Sequence, residues 1–138
     1  MQTTLTRELF WLTATVTLTS LFWIPYILNR LKEHGPWTAL RSPQPDLRPR
    51  AAWAERMMRA HDNAVENLVI FAPLVLALHV TGLNTPATAG ACMIYFFARL
   101  AHYGIYTLGL PLLRTVAFFI GFLAQTVLAM TLFGIVSG

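Results

Sequence analysis

Charge is scarce in this sequence, and that scarcity excludes several classes of protein. Only 12% of the 138 residues are charged and 56% are hydrophobic, whereas typical soluble domains carry about 25% charged residues. A soluble domain of this size cannot cover its surface with so few charges, so the apolar excess must face lipid. The same composition excludes a disordered chain. The single cysteine, Cys92, excludes a disulfide scaffold and a zinc site built from several thiolates.

Long uncharged stretches are what the sequence has instead. No formal charge occurs from Leu9 to Leu28, and about twenty helical residues cover a hydrocarbon core of roughly 30 Å. Four threonines alternate with apolar residues here, which is typical of a strand, but no later segment repeats the pattern that a membrane β-barrel requires. Pro25 predicts a kink. We predict an all-α membrane protein, a four-transmembrane-helix bundle in a single domain of residues 1–138, with helices at about 8–31, 52–80, 85–108 and 112–136.

The net charge of +4 is concentrated between two of these helices. Neighbouring Arg7 and Glu8 cancel, and residues 32–54 combine basic residues with prolines and a Gly-Pro pair, which predicts a loop. Short loops rich in Lys and Arg stay in the cytoplasm. We therefore expect the 1–2 and 3–4 loops to be cytoplasmic and both termini to lie on the opposite side. This rule accounts for the basic loop without nucleic-acid binding, which we do not expect.

Two stripes of polar side chains run along the middle helices. At 100° per residue, the first stripe occupies an arc of about 80° and the second an arc of about 60°. The first consists of Arg56, Arg59, Asn63 and Glu66, and the second of Tyr95, Arg99, His102 and Tyr106. Ionisable groups inside a membrane are costly, so each one indicates a functional site.

Arg30 and Arg114 add two more cations at the same predicted end of the bundle. Arginine pairs bidentately with carboxylate, so such a cluster favours a ligand with more than one carboxylate group, and Glu66 can bind a ligand ammonium. The alternative is structural: the arginines and Glu66 pair with each other, or terminal arginines extend to the interface. A metal site is not predicted, because His61, Asp62 and Glu66 do not share a helix face.

One segment is distinctive enough to indicate a family. Residues 55–67 read ERMMRAHDNAVEN, and RLAH at 99–102 is followed by Tyr106, Pro111 and Arg114-Thr115. This pattern resembles the MAPEG family (membrane-associated proteins in eicosanoid and glutathione metabolism), as a bacterial-type member, and the resemblance covers nearly the whole chain. It implies a homotrimer in a membrane, here a bacterial inner membrane, with glutathione bound between neighbouring subunits.

The resemblance also implies roles for individual residues. Arg114 matches an arginine beside the glutathione sulfur, where a cation lowers the pKa of a thiol and favours the thiolate, and Thr115 could donate a hydrogen bond to that sulfur. Arg30 matches an arginine on the first helix that, in the family, reaches the glutathione site from the adjacent subunit. The remaining residues implied to line the glutathione site are Arg59, Asn63, Glu66, Arg99, His102 and Tyr106.

Two positions depart from the family pattern. Asp62 stands where many glutathione-using members have arginine, and Phe118 stands where some prostaglandin-forming relatives have tyrosine. Our first hypothesis is a glutathione-dependent transferase or peroxidase acting on lipophilic electrophiles or lipid hydroperoxides. The alternative, motivated by Asp62, is a non-catalytic trimeric membrane protein that binds lipid or another ligand, since a fold does not establish an enzyme.

Overall fold

The described part of the chain, residues 5–40 and 49–135 of this computed structural model, is built from helices. They are α1 (Arg7–Leu21), α2 (Trp23–Leu40), α3 (Ala52–Thr81), α4 (Pro86–Leu108) and α5 (Pro111–Leu132). No strand occurs in these two ranges. Since α1 and α2 together make the first predicted helix, the predicted all-α bundle of four helices is confirmed.

Three helical stretches of the described residues are long and apolar enough to cross a membrane: Arg7–Thr38, Ala52–Thr81 and Pro111–Leu132. The protein is therefore an all-α membrane protein. α4 is also long, but Arg99 and His102 interrupt its apolar sequence. Many large apolar side chains point away from the protein interior, for example Val80 at 82% and Phe119 at 55% exposure, and lipid is the solvent that suits them.

The break between α1 and α2 lies at Phe22, one turn before the proline that causes it. Pro25 has no N–H, and its ring clashes with the carbonyl four residues earlier, which belongs to Leu21. The carbonyl oxygen of the next residue, Phe22, accepts a hydrogen bond of 2.7 Å from the Tyr103 hydroxyl. The two rings stack with centroids 3.7 Å apart. The predicted kink is thus held in place by α4.

The predicted loop at 32–54 is shorter in the structure, because α2 continues as far as Leu40. The helix is interrupted at Gly35, whose φ of 79° and ψ of 161° suit only glycine. Pro36 follows, and proline is well suited to the first position of a new helical turn. Arg41 and Arg48, two of the basic residues in this segment, lie outside the described residues.

α4 occupies the middle of the bundle, in contact with α1, α3 and α5. Its N-terminus is closed by a capping box, in which Thr85 and Thr88 exchange side-chain and backbone hydrogen bonds. Thr88 also donates a bond of 2.9 Å to Glu8, which is only 3% exposed. The carboxylate of Glu8 therefore joins α1 to the start of α4, a role that its place beside Arg7 in the sequence did not predict.

The apolar core lies towards the end of the bundle where α4 begins. Phe71 and Tyr95 stack there with ring centroids 3.8 Å apart. The remaining core side chains are Leu12, Val75, Leu78, Ala91, Cys92, Ala124 and Leu128. The polar stripes of α3 and α4 begin where this core ends, so one end of the bundle is packed with hydrocarbon and the other with polar groups.

Candidate functional site

The most deeply buried cation of the polar stripes is Arg99, on α4. It is 3% exposed, and its Nη2 donates a hydrogen bond to Oδ1 of Asn63 on α3. The Nδ1 of His102 lies 3.4 Å from the same nitrogen. On the α5 side, an added Cβ at Gly121 would stand 3.7 Å from Arg99 Cδ, an ordinary van der Waals distance, so α5 packs against the arginine at this point.

Arg99 is short of anionic partners. Among residues 5–40 and 49–135, no carboxylate forms an ion pair with it, and its Nε is a buried donor without a hydrogen-bond partner. A buried charge is expensive unless it is paired. Amide and imidazole groups contact the guanidinium here in place of an anion.

A cationic cleft of about 290 Å³ lies between the start of α3, the end of α4 and the start of α5. Its charged lining residues are Glu55, Arg56, Arg59 and Arg114. Three arginines thus share the cleft with one acid, an excess that favours a ligand carrying carboxylates.

Tyr106 connects the cleft to the buried network. The Arg114 guanidinium lies over the Tyr106 ring, 4.5 Å from its centroid, which is a cation–π geometry. The same ring meets His102 edge-on at 5.6 Å. Arg114 is therefore positioned by an aromatic face, and no acid in the described residues lies within ion-pair distance of it.

Arg56 has a structural task at the floor of the cleft. Its Nε donates a 2.9 Å hydrogen bond to the carbonyl oxygen of Thr107, one of the carbonyls that the last turn of a helix leaves without a partner. α4 ends at Gly109 with a φ of 78°, and a Cβ there would stand 3.3 Å from the Arg56 guanidinium. Arg56 thus joins α3 to the end of α4 through a backbone carbonyl, a contact that differs from the acid pairing and the interfacial placement considered from the sequence.

Arg59 and Glu55 form an ion pair of 3.2 Å at the mouth of the cleft. The Arg59 side chain is 65% exposed, so the pair is screened by solvent and weak. A ligand carboxylate could replace Glu55 at little cost. Glu55 is not among the predicted site residues, although its spacing of four residues from Arg59 on one helix is typical of such an ion pair.

The other predicted residues of α3 and α5, Asn63, Glu66 and Thr115, do not line the cleft. Asn63 also accepts a hydrogen bond of 3.3 Å from Asn67. Glu66 is exposed, and it makes no hydrogen bond or ion pair with another described residue. The Thr115 hydroxyl donates to the carbonyl of Pro111 at 3.1 Å, so it would have to exchange that bond to serve a ligand.

Arg30 lies apart from the cleft. It lines a small cavity together with Tyr26, Glu33, His34 and Met58. Within one chain it therefore does not join the other arginines, contrary to the convergence expected from the sequence. Asp62, which differs from the arginine of many family members, is exposed and does not line the arginine cleft. Its carboxylate is therefore not one of the groups that balance the positive charge of the cleft.

A comparison with protein families decides the affiliation of the chain. Residues 8–134 match the model of the MAPEG family. The chain belongs to the MAPEG family. This membership makes it a helical membrane protein of a group associated with glutathione-dependent transferase and peroxidase chemistry. Among curated proteins, none matches the chain significantly.

Proposed function

We propose that this MAPEG protein is a glutathione-dependent membrane transferase or peroxidase for lipophilic electrophiles or lipid hydroperoxides. The observation that carries the proposal is Arg99, which is 3% exposed and has no carboxylate partner among the described residues. Contacts through His102 and Tyr106 link it to a cleft in which arginines outnumber acids. A buried cation of this kind fits an anionic ligand with several carboxylates, such as glutathione.

In this proposal each side chain has a defined task. Arg59 and Arg99 bind carboxylates, and Asn63 and His102 hold Arg99 in position. The carboxylate of Glu66, which has no partner among the described residues, accepts hydrogen bonds from the ammonium group of the ligand. When bound, glutathione supplies the nucleophilic or reducing thiol.

Arg114 is the residue we propose to act on that thiol. A guanidinium near sulfur stabilises the thiolate and so raises the fraction of nucleophile at neutral pH. The Tyr106 ring, 4.5 Å from the guanidinium, keeps Arg114 in the cleft without neutralising its charge. Thr115 adds a hydroxyl that can donate to sulfur after releasing the carbonyl of Pro111.

The apolar substrate would reach this site from the bilayer. The residues flanking Arg114 on α5 are exposed and apolar, with Leu113 at 52% and Val116 at 48% exposure. A lipophilic electrophile can therefore approach Arg114 laterally without crossing water. We include a homotrimer in the proposal, in which Arg30 from a neighbouring subunit completes the glutathione site.

The test is glutathione-dependent turnover by the purified full-length protein in phospholipid nanodiscs. Conjugation of a chlorodinitrobenzene and reduction of cumene hydroperoxide should both be measured. Arg114→Ala should lower kcat by a factor of about 10² to 10³, the usual effect of removing one electrostatic stabiliser, and Arg114→Lys should retain part of it. Arg7→Ala removes an exposed arginine at the far end of α1 and should leave turnover unchanged.

One result would count against catalysis, and a second would then support the alternative function. If neither reaction exceeds the rate without protein, the transferase and peroxidase activities are excluded for these substrates. If glutathione then still raises the melting temperature, and Arg59→Ala or Glu66→Ala abolishes that effect, the non-catalytic ligand-binding alternative is supported instead.

A further inference from the structure

A second polar site lies on the outside of the bundle, where α2 faces the start of α3. It is an open groove of about 660 Å³, separate from the arginine cleft and used in no step of the proposed reaction. Its two cations are Lys32 and Arg50, and its apolar wall includes Leu28 and Trp53. Both cations are exposed, and neither forms an ion pair with a described residue.

The one acid lining this groove, Glu33, offsets only one of the two cations. Glu33 is turned inward, and its side chain is 12% exposed. Its carboxylate accepts backbone N–H bonds of 3.0 Å from Arg50 and Ala51, just before the first turn of α3, and a side-chain bond of 3.1 Å from Asn29. The carboxylate is thus held in place by the chain itself, and its single negative charge leaves one of the two cations without a balancing charge.

The apolar wall identifies the kind of anion. Leu28 is 58% exposed and Trp53 is 39% exposed, beside cations that lie at the polar end of the candidate span Arg7–Thr38. Tryptophan is enriched at the depth of lipid headgroups, and basic residues next to a span attract anionic lipids. A small soluble anion would gain nothing from contact with the apolar wall. The acyl chains of an anionic lipid would pack against it.

We propose that this groove binds the phosphate headgroup of an anionic phospholipid. Lys32 and Arg50 hold the phosphate, and the acyl chains run along Leu28 and Trp53 towards the bilayer. The site is independent of glutathione, so it can be tested without any measurement of activity.

The experiment counts lipids retained by the full-length protein. Protein is reconstituted in phosphatidylcholine vesicles that contain a minor fraction of phosphatidylglycerol, extracted in mild detergent and examined by native mass spectrometry. We expect phosphatidylglycerol to be retained in preference to phosphatidylcholine. Lys32→Gln and Arg50→Gln should each lower its retention about fivefold, the factor that corresponds to about 1 kcal/mol per basic residue near an anionic membrane surface.

The controls separate the groove from general charge and from free phosphate. Arg7→Gln removes an equal charge outside the groove and should leave retention unchanged, as should an excess of inorganic phosphate. Trp53→Ala, which keeps both cations, should also weaken retention. The proposal is overturned if the Lys32→Gln/Arg50→Gln double variant, with unchanged helix content, retains as much phosphatidylglycerol as the unaltered protein. It is equally overturned if Arg7→Gln lowers retention as much, or if phosphate displaces the lipid.

Discussion

The two halves of this bundle are held together by different interactions. In the apolar half, around Phe71, Tyr95 and Leu128, the core side chains are uncharged and contribute through packing. A buried acid at this end, Glu8, is hydrogen-bonded to Thr88. In the polar half, around Arg99 and Arg114, the helices meet through hydrogen bonds, a cation–π contact and a buried charge without an acidic partner. The two ends of the same helices thus differ in what they bury, apolar packing at one end and, at the other, an arginine without an acidic partner among the described residues.

The largest expected effect concerns the apolar half. Phe71 is fully buried and stacked on Tyr95, so Phe71→Ala should lower the free energy of unfolding by about 3–5 kcal/mol. Phe119→Ala, at a position 55% exposed, is the matched control and should change it by no more than about 0.5 kcal/mol. Denaturation of the protein in detergent micelles measures both. Equal losses would show that the packing is not confined to this half.

Arg99→Leu tests the opposite property of the polar half. An unpaired buried charge contributes little to stability, so the melting temperature without ligand should change far less than in Phe71→Ala. Glutathione binding should weaken by at least about thirtyfold, because loss of one partner of a buried charge pair costs about 2 kcal/mol or more. Thermal shift with and without glutathione checks both expectations. A large loss of stability with normal binding would make Arg99 a purely structural residue.

Two substitutions of Tyr106 separate the contribution of its ring from that of its hydroxyl. Tyr106→Leu removes the ring under Arg114 and should cost about 0.5–2 kcal/mol of transition-state stabilisation, seen as a fall in kcat/KM for glutathione. Tyr106→Phe keeps the ring and should retain most of the activity. If the phenylalanine variant is as impaired as the leucine variant, the hydroxyl and not the ring face is what the site uses.

The smallest effect is expected at the mouth of the cleft. Glu55→Gln removes the acid that pairs with Arg59, and the loss of stability should lie within about 0.2–1 kcal/mol and vanish at high salt. Glutathione should bind slightly more tightly to this variant, because Arg59 no longer has a competing carboxylate. A calorimetric titration at two ionic strengths measures the change, and weaker binding would instead assign Glu55 to the ligand ammonium.

Particular residues show how far the sequence could be interpreted. The kink at Pro25 and the end of α4 at Gly109 followed from local chemistry, since proline lacks a donor and glycine accepts a positive φ. The continuation of α2 to Leu40 did not follow, because Gly35-Pro36 is compatible both with a loop and with a broken helix. The burial of Glu8 was also missed, since its partner Thr88 is distant in sequence.

The candidate site was predicted as a set of residues but not as an arrangement. Periodicity correctly placed Asn63 and Arg99 on facing stripes, which the structure joins by a hydrogen bond. It could not show that Arg56 would bind a backbone carbonyl of α4, or that Arg30 would line a separate cavity. Those outcomes depend on which neighbouring helix each side chain meets.

The sequence alone determined the solvent, the helices, the stripes and the family resemblance. Composition and periodicity act along one chain segment, and they require no knowledge of neighbours. Only the tertiary structure decided which arginine is buried without an acid, which one ends a helix and which one lies over an aromatic ring. A helical wheel fixes the direction of a side chain about its own axis, whereas depth and partners are set by the packing of the other helices.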